Sequence, residues 1–177
     1  MFKTDKSLFT LKPGTKNDAL GEFKEYYLEY RDFVRASVFW MVNSSSVDDI
    51  VQEAFLKAWK SYAGFKRESS FKTWIYRIAM NTTYDYLKKN KVNDEAFEET
   101  TEDPHSSNLE YSDLVGKGLM TLSTNHREVF SLFYQQEHTY LEIAVITGLP
   151  EGTVKSRVHS AKKLFVKFLE KNGVTHG

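Results

Sequence analysis

Residues 139–163 read TYLEIAVITGLPEGTVKSRVHSAKK, and this stretch decides the reading of the chain. Its spacing predicts two short helices joined by a sharp turn. Thr139 and Glu142 have the spacing of a capping box for the first helix. Ala144 is small enough to let a second helix cross closely. Gly148 tolerates the positive φ that a tight turn demands. Val154 and Val158 turn the apolar edge of the second helix back toward the first. Its other face carries Lys155, Ser156, His159, Ser160 and Lys163, a polar and basic surface suited to a DNA major groove. An ordinary helical hairpin with a solvated basic face would share this pattern.

The rest of the chain is predicted to be helical as well. Phe23, Tyr26, Tyr27, Tyr30, Val34, Val38 and Met41 recur on one face of a helix from about Gly21 to Val42. Ser46 is placed to cap a second helix ending near Tyr62, with Val51, Ala54, Phe55 and Ala58 inward. The opposite face carries Asp49, Gln52, Glu53, Leu56 and Lys60. A third helix, from Ser70 to Lys89, buries Phe71, Trp74, Ile75, Ile78 and Tyr86. Toward the C-terminus, Val129, Phe130 and Phe133 mark a helix capped by Ser123, and the last helix turns Ala161, Phe165 and Phe168 inward. No strand-like alternation or internal repeat is present. The expectation is an all-α fold: two small helical bundles joined by an acidic flexible linker, the C-terminal one containing the helix-turn-helix. The boundaries are 1–20 for an N-terminal extension, 21–91 for the first bundle, 92–108 for the linker and 109–172 for the second.

Formal net charge is zero over 177 residues, yet charge is segregated. From Lys57 to Lys91 nine basic residues face two acidic ones; from Val92 to Asp113 eight are acidic and none is Lys or Arg; from Glu151 onward six basic residues face two acidic. Two basic blocks around an acidic one point to two polyanion-binding modules on a tether. Cysteine is absent, which excludes disulfides and thiolate chemistry and fits a reducing cytoplasm. The five histidines show no metal-ligand spacing, so neither a metal nor another cofactor is expected. No apolar run reaches the roughly 20 residues of a membrane span, and the first residues lack a secretory pattern.

The motifs carry a family resemblance. Asp48-Asp49-Ile50-Val51-Gln52-Glu53-Ala54-Phe55, then Trp59, then Phe71 through Asn81, resembles the second conserved region of bacterial sigma factors. Leu122, then Arg127-Glu128-Val129, Tyr140 through Ala144 and Gly152 through Val158 resembles their fourth region. The two-region form is the extracytoplasmic-function subfamily. The resemblance covers roughly Gly21 to Leu169. It implies a subunit that binds core RNA polymerase and directs it to promoter DNA, with no catalytic activity and no small-molecule substrate.

It also implies roles for residues. Asp49, Gln52, Glu53 and Leu56 are expected against a polymerase coiled coil. Gln52 and Glu53 lie beyond the first helical turn, so dipole stabilisation does not account for them. Lys66, Arg67, Ser69, Ser70, Lys72, Thr73, Tyr76, Arg77, Asn81 and Lys88 are expected on the outward face toward the minus-ten element. Strand separation there needs cations for phosphates and pockets for an unstacked base. Tyr140, Thr153, Lys155, Ser156, Arg157, His159, Ser160 and Lys163 are expected at the minus-thirty-five element. Ser160 departs from the family pattern, where arginine is usual, and so removes a bidentate guanine contact. The linker is expected to follow the polymerase's RNA path, or to be a plain tether. An anti-sigma factor is a further implied partner, and the cytoplasm the implied location. An autonomous helix-turn-helix regulator is the alternative; a metal-dependent nuclease built on Asp48, Asp49 and Glu53 lacks partner acids from another element.

Overall fold

A computed structural model describes residues 16–91 and 107–174; the expectations for the first fifteen residues and for the acidic linker lie outside the described residues. Seven α-helices follow one another, with no strand among the described residues. Helix α1 (Lys16–Val42), α2 (Val47–Ser61) and α3 (Phe71–Lys91) form the first group, with a 3-10 turn at Tyr62–Gly64 between the last two. Helices α4 (Ser107–Met120), α5 (Thr124–Tyr134), α6 (Tyr140–Thr147) and α7 (Glu151–Lys171) form the second. The all-α expectation holds, and α1 starts about one turn earlier than its apolar stripe indicates.

The first group packs around the stripes that periodicity marks. Val34, Val38, Ala54, Ala58 and Ile75 are fully enclosed. An aromatic cluster fills the α1–α2–α3 junction: Tyr26 stacks on Phe71 with centroids 4.2 Å apart, and Phe65 stacks on Trp74 at 4.6 Å. Such pairs add about 0.5–1.5 kcal/mol each beyond area burial.

The helix-turn-helix forms as its local signals indicate. Thr139 accepts from the Glu142 backbone N–H, the Glu142 carboxylate accepts from the Thr139 N–H, and Gly148 closes α6 at φ 75°. The turn then seats Val154 and Val158 in the core against Ile143 and Ile146. Two other expected caps behave differently. Ser46 makes no capping bond; its hydroxyl accepts from Tyr86 instead. Ser123 also leaves the helix end uncapped, its Oγ lying 3.0 Å from His126 Nδ1.

The two groups do not stand apart. One buried cluster runs from Phe23 of α1 to Val158 of α7, and α3 is covered on two sides. Its first face, Phe71 and Ile75, meets α1 and α2. Its second face includes Tyr76, Ala79 and Met80, all buried; α3 packs on α6 of the second group and reaches α5 through hydrogen bonds from Tyr76 and Tyr84 to Glu128.

Two glycines of the helix-turn-helix test this geometry. A Cβ at Gly148 would need the left-handed region and would approach Arg77 Nη2 to 3.4 Å. Nothing lies within 4 Å of a Cβ at Gly152. Chemical denaturation should show Gly148→Ala destabilised by about 1–3 kcal/mol. Gly152→Ala should be neutral or stabilising by about 0.4–1 kcal/mol.

Candidate nucleic-acid and polymerase interfaces

Three surfaces gather the expected site residues. The first is the outer face of α2. Asp49, Gln52, Glu53 and Leu56 are all exposed there, as the helical period requires. Glu53 forms an ion pair with Lys57 at 2.8 Å, and the Lys57 hydrogen bond holds its carboxyl below the usual range. Beside this strip runs a groove of about 620 Å³ between α1 and α2, lined by Leu20, Tyr27, Gln52, Leu56 and Trp59 among others. Sequence reasoning placed Tyr27 in the core stripe, but it is 39 % exposed, as is Trp59. A turn of an amphipathic helix exposes part of its stripe when the neighbouring helix splays away, and periodicity alone does not reveal that.

The second surface is α3 with the loop before it. Lys66, Arg77, Asn81 and Lys88 are exposed. Ser69 and Ser70 lie in the loop, and Ser70 Oγ accepts from the Thr73 backbone N–H, forming the start of α3. Thr73 and Tyr76 differ from the expectation of an outward face: both are buried, at 3 % and 2 % exposed. Tyr76 donates to Glu128 of α5 at 2.9 Å, so its side of α3 is an inner surface here. Lys72 is half-buried, with Nζ 4.3 Å above the Phe33 ring and 3.4 Å from His138 Nε2. Burial lowers the Lys72 pKa, and burial together with Lys72 lowers that of His138.

Arg67 is not a free cation. Its guanidinium bonds both carboxylate oxygens of Glu22, at 2.6 and 2.8 Å. Its backbone is left-handed, φ 58°, a conformation that non-glycine residues hold only when their surroundings impose it. The Glu22 clamp supplies that constraint and ties α1 to the loop. Tyr62 donates to the same carboxylate.

The third surface is the front of α7. Lys155, Ser156, His159, Ser160 and Lys163 are exposed, while Thr153 and Arg157 are half-buried. Lys155 is held by Glu151 at 2.8 Å and lies 5.9 Å from the centre of the Tyr140 ring. Tyr140 itself stacks on Phe133 at 4.7 Å. Lys155 is thus anchored by Glu151 and Tyr140 and still exposed to solvent. Among the described residues no three His, Asp or Glu side chains gather as metal ligands, and no helix is long and apolar enough to cross a membrane.

Comparison with known proteins gives the same layout. Residues 26–92 match the Sigma-70 region 2 family, and residues 113–165 match the Sigma-70, region 4 family. The chain is 31% identical over 159 residues to the ECF RNA polymerase sigma factor SigW of Bacillus subtilis (strain 168), spanning 79% of this chain and 84% of that protein. It is 32% identical over 158 residues to the ECF RNA polymerase sigma-E factor of Escherichia coli (strain K12), spanning 80% and 83%. Its fold matches the sigma factor RpoE in complex with the anti-sigma factor NepR from Bartonella quintana, at TM-score 0.68 and 28% identity over 84% of this chain and 97% of that one. CnrH in complex with the cytosolic domain of CnrY shares the fold at TM-score 0.67 and 22% identity, covering 89% of this chain and 96% of that one. These are regions two and four of a Sigma-70-type factor in one chain. The chain belongs to the ECF subfamily of RNA polymerase sigma factors, and its function is promoter-directed transcription initiation with core polymerase.

The Glu22 clamp gives a pH dependence. Burial pushes the Glu22 pKa up, but hydrogen bonds from Tyr62 and Arg67 outweigh it, and the net shift is downward. A depressed folded-state pKa contributes stability that is present above the unfolded value near 4.5 and lost as pH falls through the folded value. Glu22→Gln should cost about 1 kcal/mol at neutral pH, discounted for partial exposure. Its deficit relative to the parent should shrink in denaturation curves collected below about pH 4.

Proposed function

We propose that the three surfaces divide the work of initiation. The strip Asp49, Gln52, Glu53 and Leu56, with the adjoining α1–α2 groove, docks the polymerase. Its exposed acids and amide beside an apolar floor suit a partner helix that bears arginines. Lys66, Arg77, Asn81 and Lys88 on and before α3 engage the minus-ten element, joined by Ser69, Ser70, Arg67, Lys72, Thr73 and Tyr76 where the surface is open. Tyr140, Thr153, Lys155, Ser156, Arg157, His159, Ser160 and Lys163 engage the minus-thirty-five element. Phosphate contacts there supply affinity, and the base-edge contacts at the start of α7 supply selection.

The observation that carries this reading is the pairing of an exposed acidic-amide strip on α2 with a solvent-open basic face on α7. One chain thereby presents a protein-binding surface and a DNA-binding surface of opposite charge. In this reading the regions divide as residues 21–91 and 109–172, with 92–108 between them, the last two of these already in α4. The chain acts in the cytoplasm, where polymerase is, as a non-catalytic factor. Its likeness to RpoE in complex with NepR supports regulation by an anti-sigma protein.

Two substitutions test the division. Gln52→Ala with Glu53→Ala should weaken core polymerase binding by about 2 kcal/mol in a titration, with circular dichroism unchanged; unchanged affinity would move the docking surface elsewhere. Lys155→Ala should cost about 1–3 kcal/mol of minus-thirty-five recognition if it reads a base. Competition between intact and mutated upstream elements measures this, and equal discrimination by parent and variant would remove Lys155 from the readout.

A further inference from the structure

The loop between the 3-10 turn and α3 reverses its course at Arg67, where φ is 58°. Glycine holds that left-handed conformation freely; a residue with a side chain holds it only at a cost and only when its surroundings impose it. The two ends of the loop have their own anchors. Phe65 stacks on Trp74, and its N–H donates to the Tyr62 carbonyl. Ser70 starts α3, its Oγ accepting from the Thr73 N–H and its carbonyl from the Trp74 N–H. The middle of the loop is held from α1, 45 positions earlier in the chain, where the Glu22 carboxylate takes Arg67 Nη2 on both oxygens.

Glu22 is well built for that task. Its Oε2 also accepts from Tyr62, and its Oε1 from Tyr26 at 3.5 Å. Donors from α1, the 3-10 turn and the loop thus converge on one carboxylate, which makes it a fixed post rather than a swinging surface acid. A partly exposed ion pair adds little to the stability of a whole fold. Its effect is concentrated on the segment it holds.

That segment carries groups read above as minus-ten contacts. With Arg67 drawn inward, Lys66, Glu68 and Ser70 are exposed and Ser69 is half-buried. Relaxation of Arg67 into the ordinary right-handed or extended regions would turn φ by roughly 120° or more. The peptide groups on both sides would turn with it, and Lys66 and Ser69 would be carried to new positions. A loop held beforehand in its binding conformation needs no ordering when a strand arrives, and its polar groups stay aimed at one arrangement of bases.

We propose that Glu22 is a positioning residue for minus-ten recognition: through Arg67 it fixes the 65–70 loop so that Lys66, Ser69 and Ser70 face the unpaired strand. The inference rests on the assignment of this loop to the minus-ten element. Arg67 then serves the turn and not a phosphate, and a residue of α1 that touches no DNA sets base selection.

Two measurements test this. Holoenzyme reconstituted from core polymerase and the full chain is offered fork-junction DNA with a randomised single-stranded minus-ten segment, and the retained strands are sequenced. Hydrogen exchange of the 65–70 amides in the free protein reads the loop itself. Glu22→Ala should speed that exchange and flatten the base preference by about tenfold, with core binding and minus-thirty-five selectivity at parental values. Arg67→Ala breaks the clamp from the other side and should match it, which keeps the test open should Glu22→Ala fold poorly. Arg67→Gly separates the roles. Glycine keeps the left-handed turn without the clamp, so base preference should stay within about twofold of the parent. Adding Glu22→Ala to Arg67→Gly should then have no further effect. Arg67→Gly as defective as Arg67→Ala would make the guanidinium itself the DNA contact and overturn the proposal. Unchanged loop exchange in both alanine variants would overturn it as well. Faster exchange with the parental base preference would also overturn it, and would place the fault in the assignment of the loop to the minus-ten element rather than in the clamp.

Discussion

The hydrogen bonds that α5 sends into the other half of the chain set the arrangement of everything else. Arg127 and Glu128 are adjacent, both are buried, and both reach across to region two. Arg127 has four carbonyl partners at the ends of α1 and α4 and around the turn that follows. The Met41, Leu119 and Met120 carbonyls lie in the last turns of α1 and α4, at the negative end of each helix dipole, so a guanidinium with a fixed fork of donors compensates them well. Glu128 does the complementary work at α3. With these two side chains in place, α3 lies between its own bundle and the helix-turn-helix, and one core serves two DNA-reading regions.

This arrangement accounts for which functional surfaces are open and which are shut. The acidic-amide strip on α2 and the basic face of α7 point outward, away from the shared core. The middle of α3 does not. The side of α3 that carries Tyr76 is closed by Glu128 of α5.

Local chemistry made much of this legible in the sequence. The Thr139–Glu142 box, the left-handed Gly148 and the apolar pair Val154 and Val158 are short-range signals, and each appears as its spacing requires. The exposed strip on α2 follows from a 3.6-residue period. What stayed hidden depends on contacts distant in the chain. Tyr76 and Glu128 are 52 positions apart, and no periodicity announces that a tyrosine on an apparently outward face has a carboxylate waiting for it. Ser46 shows the same limit: its hydroxyl is a cap by local grammar, but Tyr86, 40 residues on, claims it. Arg67 reads as a phosphate-binding cation until Glu22 is seen to hold it.

Small-angle scattering from the free protein tests the account most directly, because it reports shape without labels, DNA or polymerase. The expected result is a compact particle with a radius of gyration near the about 16 Å of a single folded body of this length. A two-lobed distance distribution extending past about 80 Å in the free protein would contradict it, since the two regions would then be apart before any partner arrives.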